Sequence, residues 1–170
     1  DVVLMALGGK RPSMMVEDAM RLLASTGGVP VVAAGNDGSR VMDFPGSSGQ
    51  AIAVAAVDED GYVASWSSWA PRSEGPDIAA PGVLIPVLRP NDGYGTISGT
   101  SPAAAVVAGC VALLYSVNKA IKARRASDAG ERSAIAAIRE RLYRTATRLQ
   151  APTERVGYGL IDAYSLVMGE

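Results

Sequence analysis

A serine at the start of a long apolar helix is the strongest candidate for chemistry in this sequence. Residues Ser98–Gly109 have the sequence Ser-Gly-Thr-Ser-Pro followed by small apolar side chains, which predicts Ser101 in the first helical turn. A hydroxyl there lies in the positive field of the helix dipole and faces outward, as a nucleophile requires. The alternative is that Ser101 only caps a buried helix, the commoner role of a lone serine in such a run.

Three further segments share the features of one known family. Val31–Gly38 is a predicted buried strand that runs into a Gly-Asn turn, Leu7–Gly9 lies upstream of it, and Gly157–Ala163 lies near the other end. Together with Ser98–Gly109, in this order and spacing, they resemble the second half of a subtilisin-like serine protease. The resemblance covers nearly all of the chain.

The resemblance implies a role in acyl transfer for two residues. Ser101 is expected to attack a peptide carbonyl and to form an acyl-enzyme. The side-chain amide of Asn36 and the backbone N–H of Ser101 are expected to donate to the oxyanion, because negative charge appears on that oxygen only in the transition state. The alternative for Asn36 is a turn residue that tolerates left-handed geometry ahead of Gly38.

The resemblance also implies a substrate cleft. Its edges are expected to pair with the substrate backbone as an added strand, although both edges are also ordinary turns after a strand. The residues in question are Leu7, Gly8, Gly9, Ala33, Ala34 and Gly35. Asp43, just before Phe44–Pro45, resembles the residue at the base of the pocket for the side chain preceding the cleaved bond. A carboxylate there favours Arg or Lys, and the alternative is a loop-capping residue that points to water.

A general base for Ser101 is missing from this sequence. It contains no histidine, although a neutral imidazole usually takes the proton from a catalytic serine. The three lysines lie outside the matching motifs. The related sedolisins use an acidic base, but they usually carry Asp where this chain has Asn36. The resemblance therefore places the triad's Asp and His in a missing N-terminal half of the domain, and the chain alone is expected to be inactive.

Periodicity and turn residues predict an α/β domain, and the resemblance makes it a three-layer, subtilisin-like domain with a mainly parallel sheet that lacks its N-terminal half. Residues 1–170 are expected to be the C-terminal part of one catalytic domain. The predicted strands are Val2–Met5, Val29–Ala34 and Ala51–Val57, the predicted helices are Met14–Ser25, Ser101–Asn118 and Ser133–Thr147, and a hairpin turns at Asn91–Gly93. Basic residues outnumber acidic ones between Lys119 and Arg148, and with apolar residues at helical spacing from Ala134 they predict an amphipathic surface helix with a solvated basic face. The alternative is that this face docks a partner or a prodomain.

Composition excludes several classes of partner. The net charge of −1 over 170 residues gives no preference for nucleic acid or for anionic lipid. No apolar run is expected to span a membrane. The single cysteine, Cys110, is expected to be a small buried apolar side chain. No Cys/His cluster predicts a metal site, and no cofactor is expected in this chain. The family resemblance implies that calcium is possible in the complete domain.

Two functions follow from these observations. The first is a serine endopeptidase that acts on peptides or proteins through Ser101. The second is a non-catalytic subtilisin-like module that binds extended peptides or a partner chain through the same cleft. Asp-x-Gly and His-Gly-Thr type motifs upstream of this sequence would decide for the enzyme. The family resemblance also implies a secreted or extracellular location.

Overall fold

A computed structural model of the protein describes residues 2–71, 74–122 and 133–169. These residues form six strands, six α-helices and one 3-10 turn at Gly46–Ser48. The strands are β1 (Val2–Met5), β2 (Val29–Ala33), β3 (Ile52–Val57), β4 (Ile78–Pro81), β5 (Ile85–Arg89) and β6 (Gly93–Ile97). The helices are α1 (Met14–Ser25), α2 (Thr100–Val117), α3 (Lys119–Lys122), α4 (Ala134–Thr145), α5 (Thr153–Val156) and α6 (Ala163–Met168).

The first four strands form one parallel sheet in the order β1-β2-β3-β4. Strands β2 and β3 are buried along their whole length, which explains why both are continuous apolar runs rather than alternating ones. Strands β5 and β6 form a separate antiparallel hairpin, whose turn contains Asn91 and Asp92 in left-handed geometry. The predicted hairpin and the parallel sheet are both confirmed.

Helices cover both faces of the sheet and complete a three-layer α/β domain. On one face α1 packs through Met20 against Val32 of β2. On the other face α2 crosses all four strands, and Val107 and Leu114 lie fully buried in the main core with α4 and α6. The predicted bounds of β1 and α1 match the observed ones, and those of α2 and α4 differ by one or two residues.

The expectation that no apolar run could span a membrane is wrong for helix α2. With 18 residues and a mean hydropathy of 1.7, it is long and apolar enough to cross a bilayer by length and composition alone. Half of the helix is buried inside the domain. Its apolar composition is therefore accounted for by packing on the sheet, which a hydropathy pattern alone cannot distinguish from packing against lipid. Cys110 is buried in this helix as predicted, and burial raises the pKa of its thiol.

The basic face of α4 is only partly solvated, because Arg139 and Arg141 bind backbone carbonyls and a carboxylate while Arg144 is exposed. Arg139 Nε lies 2.7 Å from Asp77 Oδ1, and the same guanidinium donates to the carbonyls of Gly49 and Ala51. Arg141 donates to the carbonyls of Leu166 and Val167 at the end of α6. These arginines join α4 to the rest of the domain, and periodicity alone could not distinguish them from exposed ones.

Replacing Arg139 by Met is expected to lower the free energy of unfolding by about 2–3 kcal/mol, because Asp77 then keeps a largely buried charge without its partner. The Asp77 side chain is only 13% exposed. Urea unfolding measures the change. Arg144→Met on the same helix is the matched control: its ion pair with Glu140 is exposed, so a loss below about 0.5 kcal/mol is expected. Equal losses in the two variants would contradict the structural role of Arg139.

Strand β1 lies at the edge of the sheet and carries exposed apolar side chains. It pairs with β2 on one side, and no strand of the described residues pairs with its other side. Val3 and Leu4 are 39% and 43% exposed. An apolar edge with free backbone groups is prone to pair with another chain.

We therefore expect purified residues 1–170 to self-associate, with multi-angle light scattering reporting species larger than the monomer. Leu4→Lys should reduce the association, because a charge on an edge strand opposes pairing. Leu113→Lys, at an exposed apolar position on α2, is the control and should leave it unchanged. A stable, cooperatively unfolding monomer would contradict this prediction.

Candidate active site

A cleft lies where the carboxyl ends of β1 and β2 meet the N-terminus of α2. It has a volume of about 210 Å³. Ser101, the second residue of α2, lies in its wall. Gly99 is the N-cap residue, so Ser101 does not cap the helix, and that alternative is wrong. The residues that line the cleft are Ala6, Leu7, Gly8, Ala33, Gly35, Asn36, Asp43, Thr100 and Ser101.

Thr100 fixes the orientation of Asn36. The backbone N–H and the hydroxyl of Thr100 both donate to Asn36 Oδ1, at 2.8 and 2.9 Å. The Thr100 hydroxyl accepts in turn from the backbone N–H of Gly35 at 3.1 Å. With its oxygen held in this way, the Asn36 side chain presents its Nδ2 amide beside the start of α2, where it donates to none of the described residues. Asn36 Nδ2 lies 3.6 Å from the position that a Cβ on Gly99 would occupy.

The backbone at Asn36 is not left-handed. Among the described residues with a side chain, only Leu84, Asn91 and Asp92 have positive φ. The glycines on either side, Gly35 and Gly38, supply the positive φ values of 108° and 61° that the turn needs. The explanation of Asn36 as a left-handed turn residue is therefore wrong, since its neighbours meet that requirement.

Three of the predicted substrate-pairing residues already use both their backbone N–H and their carbonyl in hydrogen bonds within the domain, so their N–H groups are not available to a substrate. Gly9 pairs through both its N–H and its carbonyl with Phe44. Ala34 donates to Val54 and accepts from Asp43, and Gly35 donates to Thr100 and accepts from Ser68. Gly9 and Ala34 also lie outside the cleft lining. By contrast, the backbone groups of Leu7 and Gly8 make no hydrogen bond within the described part of the chain.

Asp43 lines the cleft and does not point to water. Its side chain is 15% exposed, and Lys10 Nζ donates to its Oδ1 at 2.6 Å. The same ammonium forms an ion pair with Asp37. The hydrogen bonds to Asp37 and then to Asp43 raise the pKa of Lys10 above its usual value. Lys10 therefore retains its proton, which is the opposite of what a general base requires.

Sequence reasoning missed two residues that shape this cleft. Neither Thr100 nor Lys10 is among the predicted site residues. Both act on residues far along the chain, Thr100 on Asn36 and Lys10 on Asp43. No local spacing rule connects such pairs, so no sequence signal pointed to them.

A second, larger cavity of about 880 Å³ lies between the Gly46–Gly49 turn, Asp77 and the segment Tyr143–Gly159. None of the predicted site residues lines it. Ser101 and Asn36 both line the smaller cleft, and neither lines the larger cavity. Within the described ranges, no three His, Cys, Asp or Glu side chains lie together to hold a metal ion.

A family model and individual known proteins all match this chain over most of its length. A family model described as the subtilase family matches residues 1–159. Subtilisin BL from Lederbergia lenta is 34% identical over 159 residues, which cover 94% of this chain and 53% of that protein. A thermostable alkaline protease from Halalkalibacterium halodurans is 35% identical over 162 residues, which cover 95% of this chain and 40% of that protein.

The solved structure of the prenylagaramide maturation protease PagA is similar in fold. Its TM-score is 0.79 at 24% sequence identity, and the match covers 98% of this chain and 60% of that one. The present chain therefore spans about half the length of the curated relatives that it matches.

Proposed function

The chain belongs to the subtilase family, and on that premise we propose that it is the C-terminal part of the catalytic domain of a serine endopeptidase. Ser101 is the nucleophile, and the protein hydrolyses peptide bonds through an acyl-enzyme on its Oγ. The observation that carries the proposal is the contact between Thr100 and Asn36, which joins the turn after β2 to the start of α2 and brings the Asn36 amide to the cleft that Ser101 lines.

The proposed oxyanion site has two donors. One is the Nδ2 amide of Asn36, whose Oδ1 is held by Thr100. The other is the backbone N–H of Ser101, which makes no hydrogen bond within the described ranges, as expected in the first turn of a helix. Donors fixed before the reaction stabilise the tetrahedral intermediate without reorganising as charge develops.

The proton of the Ser101 hydroxyl needs an acceptor from elsewhere. This sequence contains no histidine, so we place the triad's His and Asp in the remainder of the domain, outside residues 1–170. The substrate is a peptide or protein in extended form, and the free backbone groups of Leu7 and Gly8 support its pairing along the cleft. Family membership alone supports an extracellular location, and calcium binding by the complete domain stays a prediction.

The test is labelling of the full-length protein with a fluorophosphonate probe, followed by mapping of the modified residue. Labelling at Ser101, lost in Ser101→Ala, together with peptide hydrolysis supports the endopeptidase. A full-length protein that binds peptides but neither labels nor hydrolyses them would instead be the non-catalytic module.

Asp43 is expected to select a cationic side chain before the cleaved bond. Its carboxylate is largely desolvated and lies in the same cleft as Ser101. A preference of about 1–3 kcal/mol for Arg or Lys over Leu should follow, and Asp43→Asn should remove most of it. Profiling of the full-length enzyme against a peptide library measures the preference. Equal cleavage after Arg and Leu, unchanged in Asp43→Asn, would exclude the role of Asp43.

A further inference from the structure

The two carboxylate oxygens of Asp43 have different surroundings. Oδ1 accepts a hydrogen bond from Lys10 Nζ at 2.6 Å. Oδ2 accepts none from the described residues and faces the backbones of two cleft glycines. A Cβ added to Gly35 would lie 2.7 Å from Oδ2, and one added to Gly8 would lie 3.3 Å from it. Oδ2 is therefore the oxygen left for a group that enters the cleft.

A second carboxylate holds Lys10 in place. Its ammonium also pairs with Asp37, so two carboxylates share one cation and the group of three has an excess of one negative charge. The Lys10 and Asp37 side chains are each 56% exposed, while that of Asp43 is 15% exposed. The excess negative charge is screened least by water at Asp43, the most buried of the three side chains. One more cation is therefore best accommodated there.

We propose that Lys10 is a specificity-determining residue, which occupies Oδ1 of Asp43 and leaves only Oδ2 for the cationic side chain of a substrate. This inference rests on the proposed function. An ammonium is a compact charge that one oxygen can satisfy, whereas a guanidinium binds a carboxylate best through two parallel hydrogen bonds. The protease therefore prefers Lys over Arg before the cleaved bond, and Lys10 sets that order.

The test compares kcat/KM of the full-length enzyme on matched peptides that carry Lys, Arg or Met before the cleaved bond. Lys10→Met frees Oδ1, so the Arg peptide should gain about tenfold relative to the Lys peptide, as expected for one added charge-assisted hydrogen bond. Arg11→Met is the matched control, because it removes the same charge one residue further along while Lys10 keeps its bond to Asp43. Its Arg-to-Lys ratio should equal that of the unmodified enzyme.

A second measurement separates failure of this inference from failure of the proposed function. Calorimetric binding of the same peptides to full-length Ser101→Ala, with and without Lys10→Met, reports the side-chain preference without hydrolysis. If the full-length protein with Ser101 intact hydrolyses none of the peptides, but Lys10→Met changes binding as expected, only the endopeptidase would be overturned. An Arg-to-Lys ratio that is the same with and without Lys10→Met, in both assays, would overturn the role of Lys10. Circular dichroism of each variant confirms that it is folded.

Discussion

Isolated residues 1–170 are expected to react with a fluorophosphonate probe at no useful rate, although they contain Ser101. The Ser101 hydroxyl must lose its proton as it attacks, and this sequence has no histidine to accept it. Lys10 cannot substitute, since its contacts with Asp37 and Asp43 raise its pKa. In subtilisin, loss of the catalytic serine or histidine alone costs about 2 × 10⁶ in turnover, and a deficit of that order is expected here.

In-gel fluorescence and intact-protein mass spectrometry measure this reaction. The full-length protein is the positive control, and isolated Ser101→Ala gives the background. Rapid stoichiometric labelling of Ser101 in the isolated chain, with no other polypeptide added, would mean that the chain contains its own base. The assignment of the triad's histidine to the rest of the domain would then be wrong.

Replacing Asn36 by Ala in the full-length enzyme is expected to lower kcat by about 10²–10³-fold, the range known for removal of one oxyanion donor in subtilisin. KM should change little, because the amide bonds to a charge that exists only in the transition state. Steady-state kinetics on one peptide substrate separates the two constants. A decrease of less than threefold in kcat, or an effect confined to KM, would contradict the role of Asn36.

Variants at Thr100 provide the control for this result. Thr100→Ser keeps the hydroxyl that bonds to Asn36 Oδ1, whereas Thr100→Val removes it and also leaves the Gly35 N–H without its partner. In Thr100→Val, kcat should therefore fall, but by less than in Asn36→Ala. The free energy of unfolding should fall by about 1–3 kcal/mol. Thr100→Ser should have a kcat and a free energy of unfolding close to those of the unmodified enzyme. Equal kinetics in the two Thr100 variants would show that its hydroxyl does not orient Asn36.

The sequence by itself determined strands β1 to β3, the hairpin of β5 and β6, and helices α1, α2 and α4, and it singled out Ser101 and Asn36 as candidate active-site residues. Strand β3 is a continuous apolar run and α1 has helical spacing with Ser13 as its cap, so both are specified by neighbours within a few residues. The sequence also placed Ser101 in the first turn of α2, and the absence of histidine came from composition alone. Such features are local, and periodicity or a residue count is sufficient to read them.

Only the tertiary structure decided which polar groups are free and which are engaged. The N–H of Gly9 is engaged with the carbonyl of Phe44, and Arg139 binds Asp77, 62 residues away. Lys10 and Asp43 are separated by 33 residues and meet only because the segments that follow β1 and β2 come together at one end of the sheet. Hydrogen bonds and ion pairs depend on distances of a few ångströms, which are set by the packing of the sheet and not by spacing along the chain.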